Sequence, residues 1–161
     1  MISDSLVALA AAVLQVDRGP ERVLEICCGE GDGALFLARE FPMARVRGLD
    51  RSERAIRAAV GRVGLDPEGR VAFKAGPPSS LPYPDDFFDL VVQSRGRPRP
   101  KELRRVLRPG GQLIVLLPPP GGALERLRRR RLPGRLGRHG FEQLTGGEGE
   151  AFLVARLGGA G

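Results

Sequence analysis

One stretch constrains this chain more than any other: Val23-Leu24-Glu25-Ile26-Cys27-Cys28-Gly29-Glu30-Gly31-Asp32-Gly33. An apolar run ends in an acid, then in glycines at alternate positions, and a helix-like segment follows. That pattern reads as a strand, a tight turn and a helix N-terminus. Glycine has no side chain, so a ligand can approach such a turn closely. The N–H groups and dipole of the helix start favour a negative or strongly polar group there, and the expected ligand is nucleotide-like. Gly29-x-Gly31-x-x-Ala34 also satisfies the dinucleotide fingerprint, with Asp50 about 20 residues on. The motif therefore leaves the nucleotide open, and glycine turns after strands also occur with no ligand at all.

With 161 residues, 42% hydrophobic and 28% charged, the chain can bury the core of one globular domain. We expect a single domain over 1–161, with an N-terminal helix in 1–20, a core over 22–157 and a frayed tail at 158–161. Ser3 or Asp4 can cap the first helix, whose buried face would carry Leu6, Leu9, Ala10, Val13 and Leu14. The segment Met1 to Val16 carries Asp4 and no basic start. It reads as neither signal peptide nor membrane span, so a cytoplasmic location is expected. Cys27 and Cys28 are adjacent and would point to opposite faces of a strand, which disfavours a disulfide between them. With a single histidine and no zinc spacing, no metal site is expected.

Charge is lopsided. Residues 1–92 hold 11 Lys/Arg against 14 Asp/Glu, and residues 93–161 hold 15 against 5. An electropositive surface suits a small anionic substrate or nucleic acid. Against nucleic acid, no aromatic residue interleaves the arginines between Arg95 and Arg138, so base stacking lacks support. Arginine also makes up 24 of the 26 basic residues, a bias that a GC-rich genome produces by itself.

Apolar runs alternate with helical patterns, the signature of a parallel sheet with crossover helices. Strands are expected at Val23–Cys28, Ala44–Leu49, Val71–Ala75, Phe88–Gln93 and Gln112–Leu117. Helices are expected at Ala34–Phe41, after a Ser52 cap with Ile56, Ala59, Val60 and Val63 on one face, and at Lys101–Leu107, stopped by Arg108-Pro109-Gly110-Gly111. A last helix, Ala123–Arg138, should break or bend near Pro133-Gly134. Phe141–Leu144 and Ala151–Leu157, joined by Thr145 to Gly149, read as a closing β-hairpin. His139, beside Gly140, reads as part of a helix C-cap.

These elements, in this order, resemble the class I S-adenosylmethionine-dependent methyltransferases, and most of all their ubiquinone and menaquinone C-methyltransferase group. The likeness spans about Arg22 to Leu157. It is carried by the stretch at 23–31, by Gly48-Leu49-Asp50-Arg51-Ser52, by the run from Leu81 to Val92, and by Leu103 to Gly111. It implies a Rossmann-like, doubly wound α/β fold: a mostly parallel seven-stranded sheet with an antiparallel C-terminal hairpin strand and helices on both faces. It also implies S-adenosylmethionine as cofactor and S-adenosylhomocysteine as product. The implied cofactor-binding residues are Glu25, Cys27, Gly29, Gly31, Asp50, Arg51, Gly76, Pro77, Gln93 and Ser94. The loop Gly29–Gly33 would hold the methionine end, Glu25 its amine, and Asp50 both ribose hydroxyls. Read as structure only, Glu25 is a turn-stabilising carboxylate and Asp50 a helix cap. No catalytic side chain is implied, because a sulfonium already activates its methyl and the enzyme has mainly to orient the partners.

Three departures stand out. Cys27 occupies a position that is usually Gly in that family. Gly76 is followed by Pro77-Pro78 where an acid often bonds the adenine amino group, and proline has neither carboxylate nor N–H. The segment Ser94–Pro100 is short. The expected function is methyl transfer to a small-molecule or anionic acceptor. The alternatives are a methyltransferase-like domain that has lost catalysis and binds a partner, and a nicotinamide-dependent oxidoreductase. Homo- or hetero-oligomerisation stays open.

Overall fold

The computed structural model, which describes residues 3–17, 19–147 and 149–159, turns every expected strand into part of one sheet. The strands are β1 (Arg22–Ile26), β2 (Arg45–Asp50), β3 (Val71–Ala75), β4 (Phe88–Gln93), β5 (Leu107–Leu116), β6 (Phe141–Gly146) and β7 (Phe152–Leu157). Their order is β3-β2-β1-β4-β5-β7-β6. The first five are parallel, and β7 runs antiparallel to both β5 and β6. This is the expected mixed sheet with its closing hairpin.

The helices are α1 (Asp4–Val13), α2 (Asp32–Glu40), α3 (Glu53–Gly61), α4 (Pro100–Val106) and α5 (Ala123–Gly137). Two buried clusters flank the sheet. Leu9, Ala12, Ala34 and Leu37 of α1 and α2 meet Val23, Val46, Leu90, Val92 and Ile114 on one face. Leu103, Val106, Leu132 and Leu136 of α4 and α5 meet Leu24, Ile26, Val91, Leu113 and Val115 on the other. Alternate residues of β1, β4 and β5 thus serve both layers, which is why these strands read as unbroken apolar runs.

Local chemistry explains the helix starts. Ser3 Oγ accepts from Leu6 N–H, and Ser52 Oγ accepts from Ala55 N–H. The packing corrects several details. Leu14 and Val60, expected on buried faces, are 82% and 55% exposed. β1 ends at Ile26, so Cys27 and Cys28 sit in the turn rather than on opposite faces of a strand, and both are free thiols. α4 ends at Val106, just ahead of Arg108-Pro109-Gly110-Gly111, but that stretch is no loop; it lies inside β5. Leu107 pairs with Phe88 and Gln112 with Leu90, so the extra β5 residues bulge out, with Gly110 at φ +81°. α5 runs through Pro133 without a break, because Leu132 and Leu136 are buried on either side of it. In the expected tail, Gly158 N–H still donates to Gly140 O. Ala160, Gly161, Met1, Ile2, Arg18 and Glu148 lie outside the described residues.

The run Leu81 to Val92 is largely structural. Asp89 Oδ2 accepts the N–H groups of Glu21 and Arg22, and its Oδ1 accepts from Arg108. Arg105 ties the same segment to α4. It donates to the Leu81 and Tyr83 carbonyls, to Asp85 and to both oxygens of Glu102. Replacing Arg105 by Met is expected to cost about 2 kcal/mol, because the Tyr83 carbonyl loses its donor, the Leu81 carbonyl keeps only the Tyr83 N–H, and Glu102 loses its ion-pair partner. Urea unfolding measures it, and a midpoint unchanged from wild type would refute the role.

Candidate functional site

Every cofactor residue implied by the sequence lies at or beyond the carboxyl ends of β1, β2, β3 and β4, where open α/β sheets bind ligands. Glu25 is sealed in at 3% exposed. Ser94 Oγ donates to Glu25 Oε1 at 2.5 Å, and Oε2 has no hydrogen-bond partner among the described residues. Burial pushes the Glu25 carboxyl up to about 7, although the Ser94 bond and the Arg95 charge pull it down. A buried carboxyl with one orphaned oxygen is suited to receive a cation or a donor.

The chain then turns. Cys27 takes φ +60°, a left-handed conformation that costs a non-glycine residue roughly 1 kcal/mol. Strain of this kind collects at ligand sites. Its half-buried thiol accepts from Gln93 Nε2 at 3.7 Å, and Gln93 Nε2 also donates to Arg95 O at 2.5 Å. Burial and the Asp50 charge raise the Cys27 thiol above its usual range. Cys28 is a small buried residue, as expected. Gly29 (φ +55°) suits the left-handed angle, and the end of the flexible Arg95 side chain lies over it.

Asp50 joins this turn to the next strand. Its Oδ2 accepts Gly29 N–H and its Oδ1 accepts Ser52 N–H, both at 2.9 Å. Asp50 thus supports the start of α3 by holding the N–H of its cap residue, Ser52. Each oxygen accepts one such bond, which leaves it a further lone pair for a hydroxyl. Arg51, Gly76 and Pro77 line an open depression of about 370 Å³ beside it. Gly76 N–H is already taken by Asp50 O, at 2.9 Å. Gly31 belongs elsewhere. It is buried at φ +89°, and a Cβ on it would lie 2.8 Å from the Phe73 ring and 3.1 Å from Ala59 Cβ. Its smallness serves packing between α2, α3 and β3.

A cavity of about 230 Å³ is lined by Glu25, Cys27, Ser94 and Arg95 together with Leu6 and Leu9 of α1. Two of its features have no signal in the sequence. Arg95 is one arginine among many there, and nothing short of the fold brings it over Gly29. The α1 segment is legible as a helix but not as a wall of this site. A larger cavity of about 680 Å³ lies at the other end of the sheet, around Asp89, Arg108 and Gln112, away from these residues. Among the described residues, no three His, Cys, Asp or Glu gather in a way that could hold a metal, and no helix is long and apolar enough to cross a membrane.

The arrangement fits an amino-acid-like group with an attached nucleoside. An orphaned carboxylate oxygen can meet an amine, Arg95 can meet a carboxylate, and Asp50 can meet a diol. A family model described as "Methyltransferase domain" matches residues 23–111. The chain belongs to the class I S-adenosylmethionine-dependent methyltransferases. This methyltransferase domain is 37% identical over 123 residues to a demethylmenaquinone methyltransferase of Thermus thermophilus, covering 70% of this chain and 55% of the relative. The chain spans about half the length of the curated relatives it matches. A solved S-adenosylmethionine-dependent methyltransferase from Aquifex aeolicus superposes with a TM-score of 0.73 at 19% identity, over 96% of this chain and 94% of that one. A Burkholderia thailandensis 1,6-didemethyltoxoflavin-N1-methyltransferase, solved with its substrate and S-adenosylhomocysteine, gives 0.70 at 18% identity, over 96% and 78%. At those identities the solved structures establish the fold. The sheet order of the methyltransferase domain, ending 5-7-6 with β7 antiparallel, sets aside the nicotinamide reading.

Proposed function

We propose that this chain catalyses S-adenosylmethionine-dependent methyl transfer to a small-molecule acceptor. The observation that carries the reading is Glu25: a buried carboxyl with an unpartnered oxygen, facing a cavity under a left-handed, glycine-containing turn. Glu25 would take the cofactor amine, Arg95 its carboxylate, and Asp50 the ribose hydroxyls, while Arg51, Gly76 and Pro77 would border the adenine. When bound, the cofactor supplies a sulfonium-activated methyl. The side chains of this chain have to bind, align and exclude water. The relatives named for demethylmenaquinone support a small organic acceptor. A cytoplasmic location goes with this reading, since two free thiols suit a reducing compartment.

Titration with S-adenosylhomocysteine tests it. Asp50→Ala is expected to weaken binding at least tenfold, about 1.4 kcal/mol. Ser52→Ala removes the α3 cap, at about 1 kcal/mol of stability, and is expected to leave affinity within twofold. Ser52→Ala keeps the backbone N–H that Asp50 accepts, so it shows how much affinity depends on the α3 start alone. A folded wild-type protein that binds neither S-adenosylmethionine nor S-adenosylhomocysteine sinks the reading.

A second reading, a binding domain that has lost catalysis, is favoured by Pro77, which presents neither acid nor N–H where adenine recognition is expected. It predicts S-adenosylhomocysteine binding with no acceptor-dependent transfer of labelled methyl.

A further inference from the structure

A second cavity, of about 310 Å³, opens between the segment after β4 and α5. Arg95, Arg97, Arg128 and Arg135 line it, over a floor that includes Val115 and Leu117. It shares Arg95 and Leu116 with the cavity that holds Glu25, so the two spaces abut. Among the described residues, none of these four arginines forms an ion pair. The one acid in the lining, Glu125, accepts the Gly121 N–H. Arg135 is held only by a 3.4 Å bond to Pro98 O, and burial with the charges of Arg97, Arg138 and Arg99 lowers its pKa.

Five arginines, Arg129 included, share this lining with the single carboxylate of Glu125, so positive charge is in excess there and an anion relieves it. Guanidinium groups favour oxyanions, because their planar donors match a phosphate or carboxylate in pairs. The floor is apolar, so a purely ionic guest would leave part of the cavity unmatched. We propose that this groove anchors the methyl acceptor: a small molecule that carries a phosphate or carboxylate on an apolar body. Its oxyanion sits among Arg97, Arg128 and Arg135, and its body lies on Val115 and Leu117. The acceptor is thereby held beside the space where the methyl donor's amino-acid end is proposed to lie. The assignment rests on the methyl-transfer reading above and narrows its substrate class. Short single-stranded RNA would use the same charges, but the segment offers no aromatic side chain to stack a base.

The test is calorimetric titration of phenyl phosphate into protein saturated with S-adenosylhomocysteine, with benzyl alcohol as the uncharged comparator. Phenyl phosphate is expected to bind at least tenfold tighter than benzyl alcohol. Arg97→Gln/Arg128→Gln is expected to remove at least that factor, while S-adenosylhomocysteine affinity stays within twofold. Arg39→Gln/Arg45→Gln removes the same charge from exposed sites outside the groove and is expected to change phenyl phosphate binding less than twofold. Equal binding of the two probes overturns the proposal, as does equal weakening by the two charge-matched pairs. Tighter binding of a short RNA through Arg97 and Arg128 overturns it in favour of nucleic acid. Loss of S-adenosylhomocysteine binding by wild type overturns the function beneath it. Binding of S-adenosylhomocysteine without phenyl phosphate removes the anchor alone.

Discussion

Between pH 5 and pH 8 the ligand-free protein is expected to lose about 3 kcal/mol of stability, and Glu25→Gln is expected to abolish most of that loss. Burial raises the Glu25 carboxyl from 4.5 to about 7 in the folded state. The native state therefore holds a proton that the unfolded state has released, and stability falls as pH rises through this window. The contribution is complete below pH 4.5 and gone above about 7. A shift of that size is worth roughly 3 kcal/mol at 1.36 kcal/mol per unit. Other shifted groups act elsewhere. Glu102 and Asp66 have lowered values and lose stability only as pH falls below the ordinary carboxylate range. Cys27 and Tyr83 have raised values and act only on the alkaline side. Urea unfolding at the two pH values is the measurement. If wild type and Glu25→Gln change in parallel, Glu25 is not the group. Saturating S-adenosylhomocysteine should also flatten the wild-type slope, because a cofactor ammonium beside Oε2 would favour the carboxylate.

Gly31→Ala is expected to destabilise the protein by about 3 kcal/mol, from roughly 1–2 for a left-handed alanine and roughly 1–2 for overpacking against Phe73. The new Cβ would lie 2.8 Å from the Phe73 ring, which also presses on Gly48 so closely that a Cβ there would come within 2.5 Å. Adding Phe73→Leu should restore part of the loss by vacating the ring position, which makes a double-mutant cycle diagnostic. If Phe73→Leu restores nothing, backbone strain alone explains Gly31. Gly31 of the motif thus has a packing role. Gly29, two positions earlier, is the one over which Arg95 lies.

Much of the fold is legible in the order of the residues. Val71–Ala75 and Phe88–Gln93 coincide with the observed strands to the residue, because an apolar run between polar turns has few other uses in a chain of this length. The Ser52 cap is legible because a hydroxyl just ahead of a helical pattern satisfies an orphan N–H. Boundaries differ where tertiary packing overrides local signals. Pro133-Gly134 should break or bend α5, and Arg108 to Gly111 should be a connection ahead of β5 rather than part of it. Burial of Leu132 and Leu136 carries the helix through, and pairing with β4 absorbs the extra residues as a bulge.

The sequence alone determined the alternation of elements, the family they belong to, and the acids near the ends of β1 and β2, since those depend on neighbours in the chain. Only the tertiary structure decided which groups meet across it. Glu25 meets Ser94 over 69 positions, Asp50 meets Gly29 over 21, and Arg129 of α5 reaches the Leu117 carbonyl at the rim of the second cavity. No local pattern encodes such distances, and none marks Arg95 and Arg97, exposed like most of the arginines, as the ones brought to the sheet's carboxyl end. The physical reason is that a site of this kind is assembled where separate strands end. The order in which those strands pair is set by burial on both faces of the sheet, a property of the whole chain.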